Sequence, residues 1–175
     1  MRYLILLFLI PVLFSCGGES THISKDQIKE LENRLKNAPS NDVNHTDELR
    51  DSLVVSLLEF YHANPEDPFS PECLDKVHLL YSAKMDYISA ARYADTLLNK
   101  YPDYVNRLMV IESQFNTYDM FIQPRDKEKA KYYLELLLKE DKEMDADRRA
   151  DFEYRLKYID LTIEQLMERN MTELN

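Results

Sequence analysis

The chain has 175 residues, 45% of them apolar and 31% charged, with a net charge of −10 and two glycines, Gly17 and Gly18. That length allows one domain of ordinary size or two very small ones, and so acidic a balance repels nucleic acid and anionic lipid headgroups. The absence of glycine after Gly18 excludes phosphate-cradling loops, dinucleotide fingerprints and nucleophile elbows, which all need a residue without Cβ, and it disfavours hairpin-rich sheets.

The first element is Met1-Arg2-Tyr3 followed by an apolar run from Leu4 to Phe14, interrupted by Pro11. A helix that crosses a bilayer needs about 20 apolar residues, so this run has the size of a secretion-signal core instead. It ends in Leu13-Phe14-Ser15-Cys16-Gly17-Gly18. An aliphatic residue three before a cysteine, with small residues on either side of it, resembles the lipobox of bacterial lipoproteins; Phe14 is bulkier than that motif usually has. The resemblance implies a signal peptide over 1–15, cleavage before Cys16, a diacylglyceryl thioether on its sulfur and acylation of the new amino terminus. Residues 16–23 would then be the lipidated cysteine and its tether, and several acyl chains anchor firmly because each buried CH₂ adds ~0.8 kcal/mol. No aspartate follows Cys16. In lipoproteins sorted by that position this implies the periplasmic face of the outer membrane, with the cell surface as the alternative.

Helix signals fill the domain at 24–175. Ser24-Lys25-Asp26-Gln27 is a capping box, Thr46 precedes two acids, Ser70 precedes Pro71, and Asp126 follows Pro124. Ala38-Pro39, Asn64-Pro65 and Tyr101-Pro102 are stops. Seven helices are predicted, at 24–37, 46–63, 71–85, 87–101, 104–120, 126–141 and 146–170. Leu74, Val77 and Tyr81 recur 34 residues later as Leu108, Ile111 and Phe115. Leu57-Leu58, Leu97-Leu98 and Leu137-Leu138 recur every 40, with Ala90 and Tyr93 matched by Ala130 and Tyr133; Ile122 to Arg125 is read as a longer turn that absorbs the difference.

A 34-residue helix–turn–helix period with Leu74, Val77, Tyr81, Ala90 and Pro102 in register resembles the tetratricopeptide repeat. His78 and Glu112 stand where that family places a small residue. The implied fold is all-α, a right-handed α-solenoid of about three such hairpins plus a C-terminal capping helix, best matched over 71–103 and 105–141. In that family, ligands lie in the concave groove lined by the first helix of each hairpin. Carried over, the partner-binding positions are Glu72, Asp75, Leu79, Ser82 and Ala83, then Asn106, Met109, Ser113, Asn116 and Thr117.

Chemistry is sparsely signalled. The four histidines, at 22, 45, 62 and 78, lack metal-ligand spacing. Cys73 lies in a helical first turn, which favours a thiolate, although a small buried residue beside Leu74 and Val77 is the commoner role. The acids are read as solvated, and Ser-His-Asp chemistry has no tight turn to support it. Tyr81, Tyr93 and Tyr133 fall at packing positions; Tyr87, Tyr104 and Tyr118 are candidate recognition anchors. The expectation is therefore a non-enzymatic, lipid-anchored scaffold that binds a protein or peptide of the cell envelope. It needs no metal, small-molecule cofactor or nucleic acid. The alternative is a subunit of an envelope or outer-membrane assembly complex.

Overall fold

Residues 23–39 and 41–173 are described in a computed structural model of the chain. The signal segment, Cys16 and the tether through residue 22 lie outside the described residues. The elements are α1 (Lys25–Lys36), α2 (Val43–Ala63), α3 (Ser70–Ala83), α4 (Tyr87–Lys100), α5 (Arg107–Asn116) continuing into a π-helical turn (Thr117–Phe121), α6 (Lys127–Glu140), α7 (Ala146–Lys157) and α8 (Ile163–Glu173).

The caps explain most boundaries. Ser24 Oγ accepts from the Gln27 N–H at 3.2 Å while Gln27 Oε1 accepts from the Ser24 N–H at 2.8 Å, the expected reciprocal box. Asp86, Asp126 and Asp145 accept from the N–H groups of Ser89, Lys129 and Arg148. Three starts differ from expectation. α2 begins at Val43 because Asp42, not Thr46, accepts from the His45 N–H at 3.1 Å; Thr46 donates its hydroxyl back to the Asp42 carbonyl at 2.8 Å. Ser70 is the first residue of α3 rather than its cap, and its hydroxyl donates to the Asn64 carbonyl at 2.5 Å. The fifth helix starts at Arg107, not 104, because Tyr101 to Arg107 forms consecutive turns.

The helix expected at 146–170 is two helices. Arg155 draws the Tyr158 and Leu161 carbonyls out of the ladder, at 2.8 and 3.0 Å. Thr162 and Gln165 then form a fresh capping box for α8. The α3–α4 turn solves the glycine shortage at a cost. Met85 takes φ 59°, and Met85 N–H to Ser82 O with Asp86 N–H to Tyr81 O close a Schellman motif. A left-handed residue with a Cβ costs roughly 1–2 kcal/mol.

The helices from α1 to α7 each pack on their sequence neighbours, α1 on α2 through α6 on α7. Among the described residues the result is an all-α array of eight α-helices in a sequential, α-solenoid-like arrangement. One apolar core runs along it, through Ile28, Leu57, Leu74, Leu97, Ile111 and Leu134. Side chains also meet one hairpin apart. Lys84 pairs with Asp51, His78 with Ser113, Arg107 with Glu140 and Arg155 with Asp119, at separations of 33, 35, 33 and 36 residues. Cys73 is buried within this core.

Asp119, on the π-turn, is the most enclosed ion-paired side chain among the described residues. Its side chain is 1% exposed. Arg155 Nε and Nη2 donate to it at 2.8 and 2.7 Å, and Arg125 Nε donates at 2.9 Å. Arg125 also takes the Ile159 carbonyl at 2.7 Å.

Ala90 is 1% exposed on α4, which packs closely on α3. Ala90→Leu overpacks that contact and costs about 1–3 kcal/mol. Chemical denaturation of residues 19–175 measures the loss; unchanged stability would place Ala90 in a site that tolerates bulk.

Candidate functional site

The odd-numbered helices leave a run of clefts between them. A cleft of about 750 Å³ lies between α3 and the turn from Tyr101 to Asn106. A second, of about 500 Å³, continues between α3 and α5 as far as Phe121. A third, of about 330 Å³, joins α1 to α3 through Leu35 and Leu80. Leu79, 54% exposed, lines all three. Helical spacing accounts for this: Glu72, Asp75, Leu79 and Ser82 recur at three or four residues along one face of α3.

Of the sequence-predicted positions, Glu72, Asp75, Leu79 and Asn106 line the larger cleft. Ser82, Met109, Ser113, Asn116 and Thr117 line the second, together with Asp75, Leu79 and Asn106. Ala83 lines none of these three clefts; it is exposed at the end of α3. Thr117 contributes only an edge, being buried in the π-turn. Within the 101–106 turn, sequence reasoning named Tyr104 and Asn106 but missed Tyr101, Pro102, Asp103 and Val105, and it missed His78 and the α1 side. The Tyr101-Pro102 stop marked the turn, but nothing local shows that it folds toward α3.

A polar chain crosses the floor. Asp75 accepts from the Tyr104 hydroxyl at 2.8 Å, and the Asn106 amide donates to that same hydroxyl at 3.3 Å. His78 Nδ1 lies 3.3 Å from Asp75, and its Nε2 lies 2.9 Å from Ser113 Oγ. Burial pushes the Asp75 carboxyl up, but the bonds from His78 and Tyr104 outweigh it and hold the group below the usual carboxylate range. Burial, then the Asp75 carboxylate, pushes the Tyr104 phenol up. His78 is 2% exposed, and its ring reaches across to α5, into the next hairpin.

The order Asp75–His78–Ser113 is that of a hydrolytic relay, which the sequence did not disclose because Ser113 lies 35 residues from His78. Ser113 sits inside α5, so the backbone N–H groups beside it are spent in the helical ladder. They cannot form a donor pair facing an oxyanion at its Oγ.

Three other candidates resolve differently. Tyr118 is not an exposed anchor: it is 5% exposed, stacks on Tyr133 at 5.8 Å and accepts from Lys129 at 2.9 Å. Tyr87 stacks on Phe121 at 4.7 Å, beside the second cleft. Cys73 is buried beside Leu74 and Val77, the commoner role read for it, and burial pushes its thiol up to about 12 against the weaker pull of Lys76.

Among the described residues no group of three or more His, Cys, Asp or Glu is placed to hold a metal ion. No helix among them is long and apolar enough to cross a membrane. No protein-family model, curated protein or solved structure matches this chain.

The lowered Asp75 carboxyl makes the α3–α5 junction pH-dependent. A folded-state value below the unfolded one, about 3.9, stabilises above that value and is lost as pH falls through the folded value. Asp75→Asn is therefore expected to be less stable than wild type near pH 6, with the gap closing below about pH 4. Urea titrations at both pH values check it; a constant gap would remove Asp75 from the junction's energetics.

Proposed function

We propose that the protein is a lipid-anchored, non-enzymatic scaffold of the cell envelope that binds a protein or peptide along the face of α1, α3 and α5. The observation that carries this is the run of three clefts meeting at exposed Leu79, lined by residues that the tetratricopeptide register selects. Its helices are read as a right-handed solenoid of about three tetratricopeptide-like hairpins, with 71–103 and 105–141 as the best repeats and the last helix as a cap. Hydrogen bonds recurring one hairpin apart support that reading. The lipobox around Cys16 supports the anchor, and Gly17-Gly18 supports the outer membrane's periplasmic face, with surface display as the alternative. Membership of an envelope or outer-membrane assembly complex is the related alternative.

Cys16→Ser is expected to release the protein to the soluble fraction or leave its signal uncleaved. Normal processing with unchanged membrane attachment would overturn the anchor. Crosslinking capture from intact cells tests the binding face: Asn116→Arg, in the second cleft, is expected to weaken capture by filling space and leaving an amide contact unmade. Lys139→Glu, exposed on α6, is expected to leave it unchanged. Equal loss from both would sink the groove.

A hydrolase is the second reading, favoured by Asp75–His78–Ser113 alone. A fluorophosphonate probe separates the two. The scaffold predicts no labelling; labelling that disappears in Ser113→Ala would establish a nucleophilic serine.

A further inference from the structure

The larger cleft has a distinctive lining, and its chemistry narrows the partner. We propose that it takes an extended polypeptide segment that seats an apolar side chain against its prolines and places a lysine or arginine beside Asp103. The inference rests on the scaffold reading and adds the partner's chemistry to it.

The first observation is stiffness. Pro68, Pro71 and Pro102 line the cleft, and proline has no side-chain rotamer entropy to lose on binding. Its two tyrosines are already fixed, Tyr101 donating to the Pro65 carbonyl at 2.6 Å and Tyr104 to Asp75 at 2.8 Å. A surface ordered beforehand avoids much of the cost of immobilising side chains at an interface. At its edges stand two apolar side chains with no cover, Val105 at 87% exposure and Leu79. Rigid apolar walls with exposed edges suit an extended chain, which presents alternate side chains to such a surface.

The second observation is charge. The cleft's lysines are both engaged within the chain. Lys76 reaches Glu32 and Glu72 at 2.6 and 2.7 Å, and Lys100 donates to the Tyr61 hydroxyl at 2.7 Å with its ammonium 5.2 Å from that ring's centroid. Asp75 is spent on His78 and Tyr104. Asp103, exposed at the rim, has no hydrogen bond or ion pair among the described residues. Arg107, bound to Glu140, also feels the Asp103 charge from the same turn, but no cation among the described residues is bonded to Asp103 directly. It is the lining acid open to a cation, and the net charge of −10 draws cationic segments toward it.

The test uses the full-length protein, solubilised in detergent, on arrays of Pro- and Leu-containing decapeptides bearing Lys, Arg, Gln or Glu at one position. Wild type is expected to retain Lys and Arg peptides over their Glu counterparts, with the preference fading in high salt. Asp103→Lys is expected to lose about fivefold of that preference, the scale of one exposed ion pair. Asp103 makes no bonds to disturb, and an unchanged circular dichroism spectrum confirms the fold. Equal retention of Lys and Glu peptides, a preference that survives Asp103→Lys, no retention at all, or a face occupied by a second copy in sedimentation would each overturn the proposal. Leu79→Arg separates this failure from failure of the scaffold reading. If Leu79→Arg abolishes cellular capture while Asp103→Lys leaves peptide preference intact, the groove stands and the cation falls. If Leu79→Arg changes nothing, the groove itself falls.

Discussion

The C-terminal half of the molecule is organised by one buried carboxylate. Asp119 sits on the π-turn that ends α5 and is held by guanidinium groups from Arg125, in the following loop, and Arg155, on α7. Those guanidiniums also take the carbonyls of Tyr158, Ile159 and Leu161. One acid thus fixes where α5 stops, where α7 lies and why a new helix starts at Ile163. Buried ion pairs of this kind contribute geometry more reliably than net stability, because desolvation consumes much of the Coulombic gain. The satisfied backbone carbonyls matter as much as the charges, since each would otherwise be a costly orphan where the helix breaks. The same π-turn sets Phe121 at the far end of the second cleft, so the candidate face inherits its boundary from this cluster.

Carboxylates recur at the other junctions. Asp75 on α3 receives Tyr104 and faces His78, whose far nitrogen meets Ser113 on α5. Asp95 on α4 receives Gln114, Tyr118 and Tyr133 from the next two helices and the π-turn. Burial and the Asp95 bond together push the Tyr133 phenol up. Gln114 itself is fully buried, donates to the Ala91 carbonyl at 3.0 Å and leaves its own Oε1 without a partner. A sequential array buries each apolar stripe only on the neighbouring helices. Apolar contact alone would tolerate sliding, whereas directional bonds from an acid to groups one hairpin away fix the register. Part of the acidic composition therefore serves junctions, and reading the acids as solvated understated them.

This division also separates the two roles of the face. The polar chain beneath the clefts is consumed in holding α3 to α5, while Leu79, Met109, Val105 and Asp103 stay exposed above it. Structural bonds lie below and uncommitted chemistry lies above, an arrangement that a rigid recognition surface needs.

The amino-acid sequence determined the helical class, the capping box at Ser24, the aspartate cap at Asp126 and the stops before Pro65 and Pro102. The positions on α3 and α5 that line the clefts were carried over from the tetratricopeptide resemblance; a 3.6-residue period accounts for their sharing one helix face, and says nothing of what they bind. Caps and faces are local, decided within a turn or two of chain. Only the tertiary structure decided that Ser113 meets His78 and that Tyr118 is buried rather than presented. The break after Lys157 belongs with these, since it needs Asp119 to arrive from 36 residues away. Such contacts depend on how each hairpin is rotated against the next, a quantity summed over many packed side chains and written in no single turn of the sequence.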